Sequence, residues 1–266
     1  MHDLVEREDN GAVARLTLND PGRVNALSDA MLGALARRLD NLAEDPAIRA
    51  VVLAARGKAF CGGHDLREMT AARQAPDGGA KAFADLFARC TNVMLQIRDL
   101  PQPVIAEVQG VATAAGCQLV ATCDMAIAAE DVRFGVNGVN IGLFCSTPMV
   151  ALSRNVPRKA AFEMLTTGGF IDTARAVELG LVNRAVPAPE LTRRTRELAE
   201  MVAAKSGPVV RMGKRGFYQQ LELPLEEAYA LTGRIMVENL GHADAIEGMG
   251  AFVEKRAPRW EQDAPE

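Results

Sequence analysis

The 266-residue chain contains no CxxC pair, no GxGxxG fingerprint, no GxxxxGK[ST] phosphate loop, no low-complexity tract and no convincing internal repeat. The missing glycine fingerprints argue against a dinucleotide-binding or P-loop enzyme. The five cysteines (Cys61, Cys90, Cys117, Cys123 and Cys145) are odd in number and scattered. Neither a disulfide framework nor a zinc ribbon is expected from them; no metal site is assigned and the thiols read as reduced. No uninterrupted apolar run reaches the ~18 residues of a membrane span. The opening MHDLVEREDNG is polar and acidic where a signal peptide needs a basic start and an apolar stretch. A soluble, unprocessed, cytoplasmic protein with no membrane partner is the expectation. A basic surplus is lacking too: 30 Lys and Arg stand against 34 Asp and Glu, a net charge of -4. That balance excludes the usual electrostatic footprint of a nucleic-acid binder.

What the chain does have is apolar residues, 48% of the total, enough for one large core or a core with a smaller helical unit attached. Val13, Leu16 and Leu18 alternate with polar neighbours and predict a strand over Gly11 to Asn19, ended by the Asn19-Asp20-Pro21-Gly22 turn. Ser28 then caps a helix whose Met31, Leu35, Leu39 and Leu42 form one apolar face. A buried strand follows at Val51 to Ala54, then a glycine-bearing loop from Gly57 to Gly63. Lys81 to Leu100 places Phe83, Leu86, Phe87, Cys90, Met94 and Ile97 on a helical stripe that Pro101 and Pro103 stop. Val104 to Val108 predicts a strand, Thr113 to Ala121 a helix and Met125 to Ala128 another strand. This alternation argues for an α/β core. Beyond about Pro187 the periodicity is helical throughout, with apolar positions at Leu191, Leu198 and Val202, then Leu225, Tyr229 and Ile235, then Ile246, Met249 and Val253. The chain therefore divides into a core over residues 1–190 and a helical region over 191–266.

Two segments each end a strand and run into a helix: Phe60-Cys61-Gly62-Gly63-His64-Asp65-Leu66 and Gly110-Val111-Ala112-Thr113-Ala114-Ala115-Gly116-Cys117-Gln118-Leu119. Backbone N–H groups at a helix start are unpaired within the helix and reinforced by its dipole. Held fixed, they suit an oxyanion that develops during a reaction. The bland alternative is that small residues only let a helix pack closely on a sheet.

In this order and spacing the segments resemble the enoyl-CoA hydratase/isomerase (crotonase) superfamily. The resemblance covers nearly the whole chain, through Lys58 to Met69, Pro103-Val104-Ile105-Ala106, Gly116-Cys117-Gln118-Leu119, Cys123-Asp124, Ala176 to Val182 and Glu247 to Arg256. It implies an α/β fold: a right-handed spiral of ββα units followed by a C-terminal α-helical trimerisation region. It further implies a site that binds a coenzyme A thioester and stabilises its enolate with two backbone N–H groups. Carried over residue by residue, those donors are His64 and Ala115. Gly62 and Asp65 fall in the loop that receives the adenine, and Arg67 lies near the phosphates. Phe252 and Lys255 match a phenylalanine and a lysine that contact coenzyme A, the lysine from a neighbouring subunit. The implied partners are an acyl-CoA thioester and further copies of the chain, as a homotrimer or dimer of trimers. No cofactor is implied beyond the coenzyme A of the substrate.

The departures decide how far activity follows. Hydratases of this superfamily carry two glutamates, which here align with Gln118 and Gly138. A glutamine can orient a water but cannot exchange a proton at neutral pH, and a glycine can do neither. Restoring both carboxylates is expected to raise hydration by at least ~10²-fold, provided the loop bearing Gly138 accepts a side chain. Candidate replacement groups are the His64 side chain, Asn137, Asn140, Cys145 and Ser146. The AAGCQL segment and Asn140 to Pro148 are most similar to the subgroup of enoyl-CoA hydratase domain-containing protein 3. Three readings stay open: a hydratase-like lyase, another acyl-CoA enzyme such as an isomerase, decarboxylase or thioesterase, and a catalytically silent acyl-CoA binder.

Overall fold

The computed structural model describes residues 3–261; positions 1–2 and 262–266, at the ends of the two expected regions, lie outside the described residues. The chain opens with β1 (Val5–Asn10), β2 (Val13–Leu18) and α1 (Asp29–Ala43). Then come β3 (Ala50–Ala55), β4 (Ala59–Cys61), α2 (Leu66–Ala72) and α3 (Ala80–Asp99). The next turns are β5 (Val104–Val108), β6 (Val111–Thr113), α4 (Ala115–Thr122), β7 (Met125–Ala129), β8 (Arg133–Gly135), α5 (Pro148–Asn155) and α6 (Arg158–Thr167). β9 (Phe170–Asp172), α7 (Thr173–Glu178) and β10 (Arg184–Val186) close the sheets, and α8 (Leu191–Ala203), α9 (Gly207–Gln220), α10 (Leu225–Leu240) and α11 (Ala243–Val253) follow.

The strands sort into two sheets in a regular way. The larger has the order β1-β2-β3-β5-β7-β10, parallel except for the β1–β2 pair, and the smaller has the order β4-β6-β8-β9, parallel from β4 to β8. Each of β3-β4, β5-β6 and β7-β8 thus sends its first strand to the large sheet and its second to the small one before a helix returns the chain. This is the ββα repeat, and its central strands are buried on both faces, as the uninterrupted apolar AVVLAA of β3 requires, while in VIAEV of β5 the buried Glu107 is paired with Arg15.

Local signals account for the main helices. The Ser28 hydroxyl accepts from the Met31 N–H at 3.2 Å, and α1 buries Met31, Leu32, Leu35, Leu39 and Leu42. α3 buries Leu86, Cys90, Val93, Met94 and Ile97 and stops at Leu100, before Pro101. Two expectations shift. Thr113 ends β6, because Ala112 and Thr113 pair with Phe134 and Gly135, and the helix begins two residues later at Ala115. The helix that opens the expected C-terminal region, α8, is bound into the core through buried Leu191, Thr195, Leu198 and Ala199, and its Thr192 hydroxyl donates to Glu107 of β5 at 2.9 Å.

α9 is tied to the core by a buried polar cluster. Lys214 of α9 donates to the carbonyls of Ile97 and Gln102, each at 3.0 Å, and to Asp124 at 2.7 Å. Asp124 also accepts from the Val104 N–H at 2.6 Å and the Tyr218 hydroxyl at 2.7 Å. Burial pushes the Lys214 ammonium below its ordinary value, with Asp124 opposing, and pushes the Tyr218 phenol up. Removing one member of a buried pair strands the other without water, so Lys214→Met should lower stability by about 3–5 kcal/mol. Urea unfolding checks this, and a loss below ~1 kcal/mol would mean the cluster is surface-like in its energetics. Beyond it, α9 to α11 leave Phe217, Leu221, Leu225, Tyr229, Val237 and Phe252 exposed.

Candidate active site

β4 and β6 lie side by side and parallel, so the two glycine-bearing segments leave the sheet together at the carboxyl ends of adjacent strands, where α/β folds place their sites. Their approach is set by glycine. A Cβ at Gly116 would lie 2.1 Å from the Cys61 carbonyl oxygen, so only glycine lets α4 start this close to β4. Gly63 has φ +90°, and a Cβ there would lie 3.0 Å from the Ala114 Cβ, 3.2 Å from the Thr113 oxygen and 3.3 Å from the Ala115 nitrogen. The residue just before His64 therefore touches the residue that is Ala115. The family resemblance implies these two N–H groups as a pair from loops about fifty residues apart, and the fold brings their loops close together.

Both N–H groups are unspent. Neither the His64 nor the Ala115 N–H donates in any hydrogen bond among the described residues. The bonds around them are made by their neighbours: Leu27 N–H to Gly63 oxygen at 2.8 Å, Gly62 N–H to Val24 oxygen at 2.9 Å and Ala114 N–H to Gly135 oxygen at 2.9 Å. Ala114, with φ +51° and ψ −120°, sits where an L-residue is strained, a conformation of order 1–3 kcal/mol above a relaxed one. That strain turns the chain sharply from β6 into α4 and leaves the Ala115 N–H at the helix start.

The remaining expected residues fall into three places. Gln118 is on the first turn of α4, one turn beyond Ala115, buried, with its Oε1 lacking a hydrogen-bond partner. Gly62, Asp65 and Arg67 form the adjoining loop and the start of α2. The Asp65 carboxylate caps α2, accepting from the Arg67 and Glu68 N–H groups at 2.8 and 3.2 Å, and is paired with Arg23. Its side chain is thus structural, while the Arg67 side chain is exposed and forms no ion pair among the described residues. Phe252 and Lys255 lie on and just after α11, and no hydrogen bond or ion pair among the described residues ties them to this loop.

The alternative catalytic groups are less free than the sequence allows. Thr113 Oγ1 donates to Asn137 at 2.5 Å, Asn140 donates to the Gly168 oxygen at 3.2 Å, and the exposed Ser146 hydroxyl donates to the Phe144 oxygen at 3.4 Å. Cys145 is buried and its thiol pushed up by loss of solvent, so it is no ready thiolate. Gly138 bears on the condition set for restoring both carboxylates. A Cβ there would lie 2.4 Å from the Leu143 oxygen and 2.9 Å from the Cys145 sulfur, so this loop as folded accepts no side chain at 138. Nothing in the sequence signals it, because the obstruction is a backbone carbonyl five residues away.

His64 has a side chain as well as an N–H. Its Nδ1 lies 3.4 Å from the Leu27 oxygen, its ring meets Phe87 edge-on at 5.5 Å, and its Nε2 is buried without a partner. Burial holds the imidazole below its ordinary value of 6.5, against the weaker pull of the Leu27 carbonyl and Asp29. The unfolded chain then takes up the proton first, so the stability present above pH 6.5 is lost as pH falls through 6.5 toward the lower folded value. Urea midpoints followed from about pH 7.5 to 5 should fall less steeply in His64→Gln than in the wild type, and parallel curves would show that the ring is solvated.

Comparison with known proteins joins this geometry to a lineage. The family model described as enoyl-CoA hydratase/isomerase matches residues 8–263. The chain belongs to that family. It is 45% identical over 248 residues to a Xenopus laevis protein named enoyl-CoA hydratase domain-containing protein 3, mitochondrial, covering 93% of this chain and 83% of that one. Among solved structures, a Mycobacterium smegmatis enoyl-CoA hydratase superposes with a TM-score of 0.93 at 54% identity, covering 97% of this chain and 99% of that one. The human enoyl-CoA hydratase domain-containing protein 3 superposes with a TM-score of 0.92 at 43% identity, covering 97% and 100%. The α/β fold with its ββα core and C-terminal helices is therefore that of the enoyl-CoA hydratase/isomerase family. The subgroup resemblance read in AAGCQL and Asn140 to Pro148 agrees with the relatives found. No helix among the described residues is long and apolar enough to cross a membrane. The relatives' names carry the word mitochondrial, which stands beside the cytoplasmic expectation without deciding this chain's compartment.

Proposed function

We propose that this member of the enoyl-CoA hydratase/isomerase family binds acyl-CoA thioesters and stabilises their enolates between the N–H groups of His64 and Ala115. The observation that supports the reading is the close approach at Gly63, where a Cβ would lie 3.3 Å from the Ala115 nitrogen, while the His64 and Ala115 N–H groups donate to nothing among the described residues. As charge leaves the α-carbon for the thioester oxygen, two fixed donors stabilise it without reorganising, and each such donor contributes on the order of 10²–10³ in rate. Gly62, the Asp65 backbone and Arg67 would receive the nucleotide end of coenzyme A, with Phe252 and Lys255 contributed by another copy in a trimer or dimer of trimers. The exposed apolar faces of α9 to α11 support that assembly.

Proton delivery is where this site parts from a hydratase. Gln118 is neutral and Gly138 has no side chain and no room for one. That second observation favours a reaction that needs an enolate more than a base, such as loss of carbon dioxide from a malonyl-type thioester, where the electron pair comes from the breaking C–C bond. Turnover against short, branched, enoyl and malonyl-type CoA thioesters, with acetyl-CoA binding by calorimetry, tests both readings. Binding without turnover of any ester would leave a silent acyl-CoA binder; no binding at millimolar acetyl-CoA would end the proposal.

A further inference from the structure

The last described helix ends on a residue held in an unfavourable conformation. Lys255 has φ +56°, the left-handed region where helix ends ordinarily use glycine because any Cβ is crowded there. The turn around it is closed by the Lys255 N–H to Phe252 oxygen at 3.2 Å and the Arg256 N–H to Ala251 oxygen at 3.0 Å. Strain of this kind persists only where the surroundings over-determine it.

Here they do. The Arg256 guanidinium grips Glu247 with both terminal nitrogens, at 2.6 and 2.9 Å, and Glu254 with Nε at 2.6 Å. Glu247 also accepts from the Arg259 N–H at 2.8 Å. The Trp260 ring then lies against Gly248, 3.4 Å from where a Cβ would stand, and its indole N–H donates to the Ala204 oxygen at 3.0 Å. The Glu261 N–H donates to Asp244 at 2.8 Å, and the other oxygen of Asp244 accepts from the Ser206 hydroxyl at 2.5 Å. Residues 256–261 form a strap that runs back along α11 and fastens it to the junction of α8 and α9.

Arg256 spends its charge on Glu247 and Glu254, while Lys255 beside it does not. Lys255 forms no ion pair among the described residues, and next to it Phe252 is 86% exposed. An ammonium and a bare aromatic face carried on one hydrogen-bonded turn suit a ligand that carries phosphate and a flat heterocycle. We infer that the strap from Arg256 to Glu261 is a positioning device for Lys255 and Phe252, holding them for the nucleotide end of a coenzyme A thioester. This rests on the acyl-CoA reading above and adds to it the residues that set the lysine in place.

The test compares acetyl-CoA with acetyl-pantetheine, which keeps the thioester and lacks the nucleotide. Lys255→Gly relieves the left-handed strain and removes the ammonium, so its Tm should be equal to or about 2 °C above wild type while its Kd for acetyl-CoA rises about tenfold. Its Kd for acetyl-pantetheine should not move. Glu247→Gln should show the same selective loss with Lys255 intact, and Trp260, the only tryptophan, should emit at longer wavelength as the strap loosens. Should Glu247→Gln fold poorly, Trp260→Phe keeps an aromatic ring, removes the bond to Ala204 and shortens the contact with Gly248, and should weaken acetyl-CoA selectively. Wild-type affinity in Lys255→Gly, or equal weakening of both ligands in the strap variants, overturns the positioning role and leaves the acyl-CoA reading standing. A wild-type protein that binds neither ligand removes both.

Discussion

Mixed with crotonyl-CoA, the wild-type protein should bleach the conjugated thioester absorbance slowly or not at all, and Gln118→Glu should speed the loss by about tenfold. The gain comes from putting a titrating group on the first turn of α4, one turn from the Ala115 N–H. Burial will raise the pKa of that new carboxyl, which suits proton delivery. The gain stays below the 10²–10⁴ of a complete acid–base set because water activation and α-protonation act together. Gly138→Glu should not complete the set. Its Cβ meets the Leu143 carbonyl at 2.4 Å before the carboxylate can be placed, so Gly138→Glu and even Gly138→Ala should lower stability by about 1–3 kcal/mol. The double variant should be slower than Gln118→Glu alone. The proviso on restoring both carboxylates, that the loop bearing Gly138 accept a side chain, is what the folded loop does not meet. A folded double variant at least ~10²-fold faster than wild type would show that the loop opens easily. Wild-type hydration at the rate of an evolved enzyme would instead point to His64, Cys145 and the two asparagines as an unrecognised catalytic set.

Gly138 illustrates which parts of this molecule can be read before its fold is known. Elements that bury one face over several turns announce themselves, as Ser28 with Met31, Leu35 and Leu39 do for α1, and as the stripe from Leu86 to Ile97 does for α3. The buried parallel strands β3, β5 and β7 are legible as short apolar runs between breakers. The small sheet is not, because β4, β6, β8 and β9 have three residues each and so carry no periodicity. β1 escapes because its outer half, Glu8 to Asn10, is exposed and polar, in keeping with an edge. α9 escapes as well, its anchor Lys214 being indistinguishable in sequence from a solvated lysine.

The same division runs through the site. The glycine-bearing segments and their helix starts are local features legible in the chain, whereas His64, Ala115 and Gln118 are singled out within them by the family resemblance. What brings them together is the pairing of β4 with β6 and the close approach of Gly63 to Ala115, both set by the small sheet that no local pattern reveals. The cap formed by Asp65 is legible in kind, since aspartate before a helix start is a common cap, yet its pairing with Arg23 is not.

Gly63→Ala should separate ligand binding from enolate stabilisation more sharply than any other single change. At φ +90° an alanine is strained, and its Cβ would press on the Ala114 Cβ and the Ala115 nitrogen, prising apart the two loops that carry the N–H donors. The nucleotide end of the ligand would still find Arg67 and Lys255, so the Kd for acetyl-CoA should change by only about threefold, which is within 1 kcal/mol. Exchange of the α-protons of bound acetyl-CoA with deuterated water, which requires the enolate, should fall by about 10²–10³, the usual loss for one misplaced oxyanion donor. Ala114→Gly supplies the complementary test. It relieves the backbone at φ +51° and removes the nearest atom to the intruding Cβ, so Gly63→Ala combined with Ala114→Gly should recover part of the exchange rate. Recovery is expected to be partial because the Thr113 oxygen at 3.2 Å still crowds the new methyl group. A Gly63→Ala protein that folds, binds acetyl-CoA and exchanges its α-protons as fast as wild type would place the oxyanion donors elsewhere, and the pairing of His64 with Ala115 would then be packing alone.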